Sequence, residues 1–183
     1  MSRLLIPDSG PLFSLASGNL LPLLAKFRVG ITDIVRDETI NKGLLPGASK
    51  EAQSLLAYYN VHSASIETLP TQVGQAIATK RDREPNFSTP PNLGELSIQS
   101  FLIGLQIAPP SAGPVVLFED RWFLNNAASL KRPYILLSTQ AFLEYAQEKK
   151  WIASAEQARK DIAKARPRAY TESVTILGQG LGS

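Results

Sequence analysis

The chain has 183 residues, of which 44% are hydrophobic and 19% charged, with a formal net charge of +3 and one histidine. It contains no cysteine, which excludes disulfides, thiolate zinc sites and cysteine nucleophiles, and it has no apolar run long enough to span a bilayer. The expectation is one soluble, cytoplasmic domain without a secretory pattern at its start, whose pI of about 9.2 favours a polyanionic partner.

Leu4 to Ile6, followed by Pro7-Asp8-Ser9-Gly10-Pro11, reads as a buried strand entering a tight turn and then a helix. Short apolar segments at Leu12 to Ala16 and Leu20 to Phe27 lead to a second strand, Val29 to Thr32, with Asp33 placed to cap the next helix. Helical spacing covers Ser49 to Tyr59, and the alternation over Val61 to Ile66 predicts a third strand. Thr71 to Thr79 reads as helix, and Arg81 to Pro91, with Pro85, Pro90 and Pro91, as a loop.

Apolar residues surround the segment from Leu93 to Ile107, which predicts a largely buried helix ended by Pro109-Pro110. Val115 to Phe118 and Tyr134 to Leu137 are further strands, the first followed by a helix over Arg121 to Ala128. An amphipathic helix starts at Ala141, and Ser154-Ala155-Glu156-Gln157 has capping-box spacing for a last helix closed by Pro167. Strands alternating with helices predict a three-layer α/β/α domain with a central, mostly parallel sheet over residues 1–150. Residues 151–183 are expected to add a C-terminal helix and a loose tail ending in Gly178-Gln179-Gly180-Leu181-Gly182-Ser183.

Acidic residues recur where apolar strands end or helices begin: Asp8, Glu38, Glu95, and the pair Glu119 and Asp120. In open parallel sheets, functional groups collect beyond the carboxyl ends of the strands, and gathered carboxylates there suit Mg2+ or Mn2+. Each acid also has a plainer role. Asp8 suits a helix cap, Asn92 to Glu95 a loose capping box, Glu38 an exposed helical face, and Glu119-Asp120 the cap of the following helix. Basic clusters at Lys80-Arg81-Asp82-Arg83, Lys131-Arg132, Lys149-Lys150 and Arg159 to Arg168 could contact phosphates, although a charge run is usually just a solvated face. His62 has no nucleophile motif beside it, Trp122 and Trp151 read as core aromatics, and Asp8-Ser9-Gly10-Pro11 lacks the glycine-rich turn of a dinucleotide site.

Taken in order, four segments resemble the motifs of the PIN domain family of metal-dependent nucleases. They are Leu4-Leu5-Ile6-Pro7-Asp8-Ser9-Gly10-Pro11-Leu12, Ile31-Thr32-Asp33-Ile34-Val35-Arg36-Asp37-Glu38, Leu93-Gly94-Glu95-Leu96-Ser97-Ile98 and Val116-Leu117-Phe118-Glu119-Asp120-Arg121-Trp122-Phe123. The resemblance spans roughly the first 150 residues, with departures at Gly10, at the doubled acid Glu119-Asp120 and in the long stretch from Leu44 to Pro91. It implies an endoribonuclease in which Mg2+ or Mn2+ assists in-line attack of water on RNA phosphodiesters. On that implication Asp8, Glu95 and Asp120 hold the metal directly, Glu38 and Glu119 bind a second ion, a metal-bound water or nearby polar groups, and Ser9 orients a ligand or phosphate. The family also implies a toxin of a toxin-antitoxin pair, an antitoxin protein as partner, and a homodimer. The competing expectation is a catalytically idle module that binds RNA or a protein through the same scaffold.

Overall fold

A computed structural model describes residues 3–84, 86–105, 113–130, 134–169 and 171–177. Short apolar strands form the centre: β1 (Leu4–Pro7), β2 (Arg28–Thr32), β3 (Ile66–Leu69), β4 (Val115–Phe118), β5 (Ile135–Ser138) and β6 (Thr175–Leu177). They are ordered β3-β2-β1-β4-β5-β6, and every pairing is parallel except that of β5 with β6. Val115 to Phe118 are all buried, as a strand covered on both faces requires. The chain winds outward from β1 to β3, then returns to the other side of β1 as β4. This reversal puts the carboxyl ends of β1 and β4 side by side, where a parallel sheet opens a crevice.

Helices flank the sheet as the alternation of elements predicts. The first group is α1 (Ser9–Ser17), α3 (Lys50–His62), α7 (Thr139–Glu148) and α8 (Ala155–Ala165), with α1 against α3 and α8, and α8 against α7. In the second group, α5 (Leu93–Leu105) packs on α2 (Asp33–Glu38) and α4 (Gln72–Arg83). The short α6 (Arg121–Asn126) follows β4. Side-chain oxygens of Thr32, Ser49, Thr71, Ser138 and Ser154 accept bonds from first-turn amides and so start α2, α3, α4, α7 and α8. No described helix is long and apolar enough to cross a membrane.

The structure corrects four sequence expectations. Helix α3 continues to His62, so Val61 is helical and the third strand starts at Ile66, whose side chain is buried together with that of Leu69. Helix α4 extends to Arg83, two residues past Arg81, because three basic residues in its last turn complement the helix dipole. Thr32, not Asp33, caps α2, while both carboxylate oxygens of Asp33 accept bonds from Thr71, at 2.9 Å from its amide and 2.8 Å from its hydroxyl. Beyond α8 the expected loose tail pairs with β5, with Leu136 opposite Ile176, and within α8 the residues Ala155, Ala158 and Ile162 join the main core. The predicted helix end at Ile107, Pro109-Pro110, Pro85, the Lys131-Arg132 pair and the tail from Gly178 lie outside the described residues.

Candidate acidic site at the sheet switch point

Asp8 follows β1 directly, and its amide donates to the Leu117 carbonyl at 2.9 Å, so the β1–β4 ladder carries it to the mouth of the crevice. It occupies the N-cap position of α1, yet its side chain makes no capping bond. The carboxyl is 4% exposed and its Oδ1 has no hydrogen-bond partner among the described residues. A buried polar oxygen left this way is costly, so the plain capping role does not account for Asp8.

The other acids reach the same place from different elements. Ser9 Oγ donates to Glu38 Oε2 at 2.8 Å, tying the start of α1 to the end of α2. Gly94, in the first turn of α5, lies so close that a Cβ there would stand 2.8 Å from Glu38 Oε2, 3.1 Å from Asp8 Oδ1 and 3.4 Å from Ser9 Oγ. Only the lack of a side chain permits that approach. Asn92 makes the turn into α5 with a φ of 58°, in the left-handed region that Asn tolerates. Behind these groups, Ser97 Oγ donates to the Gly94 carbonyl at 2.6 Å. It therefore receives the Thr32 hydroxyl at 2.7 Å, which fixes α5 to the end of β2.

Burial, then the charge of Glu95, raises the Asp8 pKa to about 8. Glu38 and Asp120 push the same way, and a hydrogen bond from the Ser9 backbone opposes them. Glu95 is also raised, first by its own burial and then by Asp120 and Glu38, against a backbone hydrogen bond. Four acids from β1, α2, α5 and the β4–α6 corner thus form one electrostatic group.

Asp120 is exposed, and its Oδ1 caps α6 by accepting from the Trp122 amide at 2.7 Å, as the plainer reading of the sequence has it. Its charge nevertheless acts on Asp8 and Glu95. Glu119 is engaged differently: it is 8% exposed, and its Oε2 lies 3.3 Å from Nη2 of Arg166. His62 stacks on Tyr58, Trp122 meets Phe123 edge-on, and Trp151 packs against Phe27 and Tyr145, all structural placements.

Asp8, Glu38, Glu95 and Asp120 offer the oxygen donors that hard divalent cations prefer, and the unpaired Asp8 Oδ1 supplies a ligand with no competing partner. Carboxylate oxygen is the donor type that Mg2+ or Mn2+ takes. Among the described residues, however, no three acidic side chains converge closely enough to hold one ion between them.

The sequence assigns no site role to Thr32 or Ser97, although both lie in the motif-like segments, and marks Arg166 only as part of the basic stretch from Arg159 to Arg168. Arg166 lies 156 residues from Gly10, whose carbonyl its Nη1 reaches. No family model, no curated protein and no solved structure matches this chain.

Proposed function

We propose that this protein is a PIN-like, Mg2+- or Mn2+-dependent endoribonuclease working from the crevice at the ends of β1 and β4. The observation that carries the reading is Asp8: a carboxyl buried at the switch point of a parallel sheet, unpaired at Oδ1, and bearing the charge of three further acids. Asp8, Glu95 and Asp120 would hold the metal, with Glu38 supporting. The chemistry a divalent ion would supply there is activation of water and stabilisation of the leaving oxygen. Ser9 keeps Glu38 turned toward Gly94. Glu119 is left out of this ligand set because Arg166 already neutralises it.

RNA is the substrate favoured by the family resemblance and by the basic last turn of α4. There, Arg81 Nη1 is 3.6 Å from Asp37 Oδ2, next to Glu38 in the chain. The toxin role, an antitoxin partner, homodimerisation and a cytoplasmic setting belong to the same proposal.

One observation favours a second reading, a non-catalytic module that binds RNA or a protein. No three acids converge among the described residues, and Asp120 serves as a helix cap. The deciding experiment is cleavage of a mixed RNA pool with Mn2+, Mg2+ or EDTA, comparing the wild type with Asp8→Asn and with Asp8→Asn/Asp120→Asn. Metal-dependent cutting lost in both variants supports the nuclease. Absence of cutting with every metal, together with RNA binding indifferent to the substitutions, supports the module.

A further inference from the structure

We infer that Arg166, in the C-terminal arm, is a positioning residue for the acidic crevice: its guanidinium bridges the Gly10 carbonyl and the Glu119 carboxylate, and so sets the spacing between the segments that carry Asp8 and Asp120. The kinetic part of its test rests on the nuclease reading. The structural part does not.

Gly10 lies two residues after Asp8, and Glu119 immediately precedes Asp120. Arg166 Nη1 donates to Gly10 O, and Nη2 faces Glu119 Oε2 at 3.3 Å. A planar fork can serve two acceptors at once, which an ammonium on a flexible stem does less well. The arginine is itself held: it is the C-cap of α8, its amide donates to the Ile162 carbonyl at 2.9 Å, and its Cζ sits 5.9 Å from the Phe13 ring centre.

A separate observation shows how closely the two segments meet. A Cβ on Gly10 would stand 3.0 Å from Glu119 Cβ and 3.2 Å from its Oε2, so the bare backbone at Gly10 permits the approach that Arg166 spans. Glu119 is buried, and its charge needs a compensating partner at that point. Among the described residues, the guanidinium's partners are Gly10, Glu119 and Phe13, so its direct grip is on the two chain segments.

The test compares Arg166→Met, which keeps the stem and removes the fork, and Arg166→Lys, which keeps the charge, with the wild type in Mn2+-dependent RNA cleavage. Activity is expressed per folded molecule. The expected result is a kcat lowered roughly 10- to 100-fold in Arg166→Met and less in Arg166→Lys, as misplacement of reacting groups produces. KM should stay within about two-fold. Wild-type kcat in folded Arg166→Met overturns the inference. Should Arg166→Met fail to fold, Arg166→Lys decides: lowered kcat at constant KM supports positioning, and wild-type kcat overturns it.

If the wild type cleaves no RNA, the nuclease reading fails by itself and amide hydrogen exchange tests the bridge. Faster exchange in Arg166→Lys at residues 9–12 and 120–123, with α5 unchanged, supports it. Unchanged exchange at both segments overturns it.

Discussion

Ser9 Oγ donates a 2.8 Å hydrogen bond to Glu38 Oε2, and this joins the turn after β1 to the last residue of α2. A hydrogen bond to a carboxylate is among the stronger kinds, about 1.5–3 kcal/mol when buried. Here both partners are only partly buried. Ser9→Ala should therefore destabilise by about 1 kcal/mol in urea unfolding. It should lower metal-dependent cleavage at least about ten-fold by releasing Glu38. Undiminished cleavage would remove Ser9 from the site.

Gly94→Ala separates stability from function. Alanine favours a helix over glycine by about 1 kcal/mol, but the new Cβ would meet Glu38 Oε2 at 2.8 Å. A carboxylate can swing away, so the two effects should leave stability within about 1 kcal/mol of the wild type. Cleavage should collapse, because Glu38 then leaves Ser9. An active Gly94→Ala would show that Glu38 is not needed where it stands.

Behind Arg166, a cavity of about 30 Å3 is lined by Ser14, Glu119, Thr139 and Gln140 among others. Ser14 Oγ, Glu119 Oε1, Thr139 Oγ1 and Gln140 Oε1 have no protein partner among the described residues. A partly open pocket of that size has room for one or two waters, which would be bonded by these oxygens. Thr139→Val should then destabilise by about 1 kcal/mol, since it removes a bond to water. In a dry cavity the same swap would stabilise, so the sign of the change in urea unfolding decides.

Much of the fold is legible in the sequence because its strands are short apolar runs bounded by strong punctuation. Leu4 to Pro7 before Asp8-Ser9-Gly10-Pro11, and Val115 to Phe118 before Glu119-Asp120, can be read without tertiary knowledge. The third strand is illegible locally because Val61 to Ile66 carries the partial alternation, whereas Ile66-Glu67-Thr68-Leu69 carries none and is selected by its pairing with β2. Strand β6 is only three residues long and exists through its bonds to β5, which no local pattern reveals. Asp8, Glu119 and Asp120 are legible as acids at strand ends, and Glu38 and Glu95 as acids on helices. Their separation into the group around Asp8 and the Glu119–Arg166 pair is not, because the pair joins the end of β4 to the end of α8 through a contact that no local pattern reveals.

Lys80, Arg81 and Arg83 lie in the last turn of α4. Replacing all three with Gln should weaken RNA binding and flatten its salt dependence by about 0.7 in log–log slope for each lost phosphate contact. Cleavage at saturating RNA should persist. Lys149 and Lys150, which follow the ten-residue α7, provide the control pair. Equal losses from both sets would point to general charge, with no RNA track beside Glu38.

The raised pKa of Asp8 makes the site a liability to the fold that a cation should relieve. An unfolded aspartate titrates near the ordinary 3.8, whereas Asp8 in the folded protein titrates at about 8. The folded state therefore binds the extra proton between those values, so stability is fully present below pH 3.8 and lost as pH rises toward 8. Asp8→Asn carries no ionisable group there. Its advantage over the wild type in urea unfolding should grow from pH 4 to pH 8 and level off above. Because Glu95 is raised in the same sense, some of this pH dependence should survive in the variant. Mn2+ at pH 8 should restore wild-type stability by binding the ionised carboxylates of the folded state, and should do little for Asp8→Asn. A wild-type unfolding curve indifferent to Mn2+ would count against a metal at Asp8, even if the pH dependence appeared as expected.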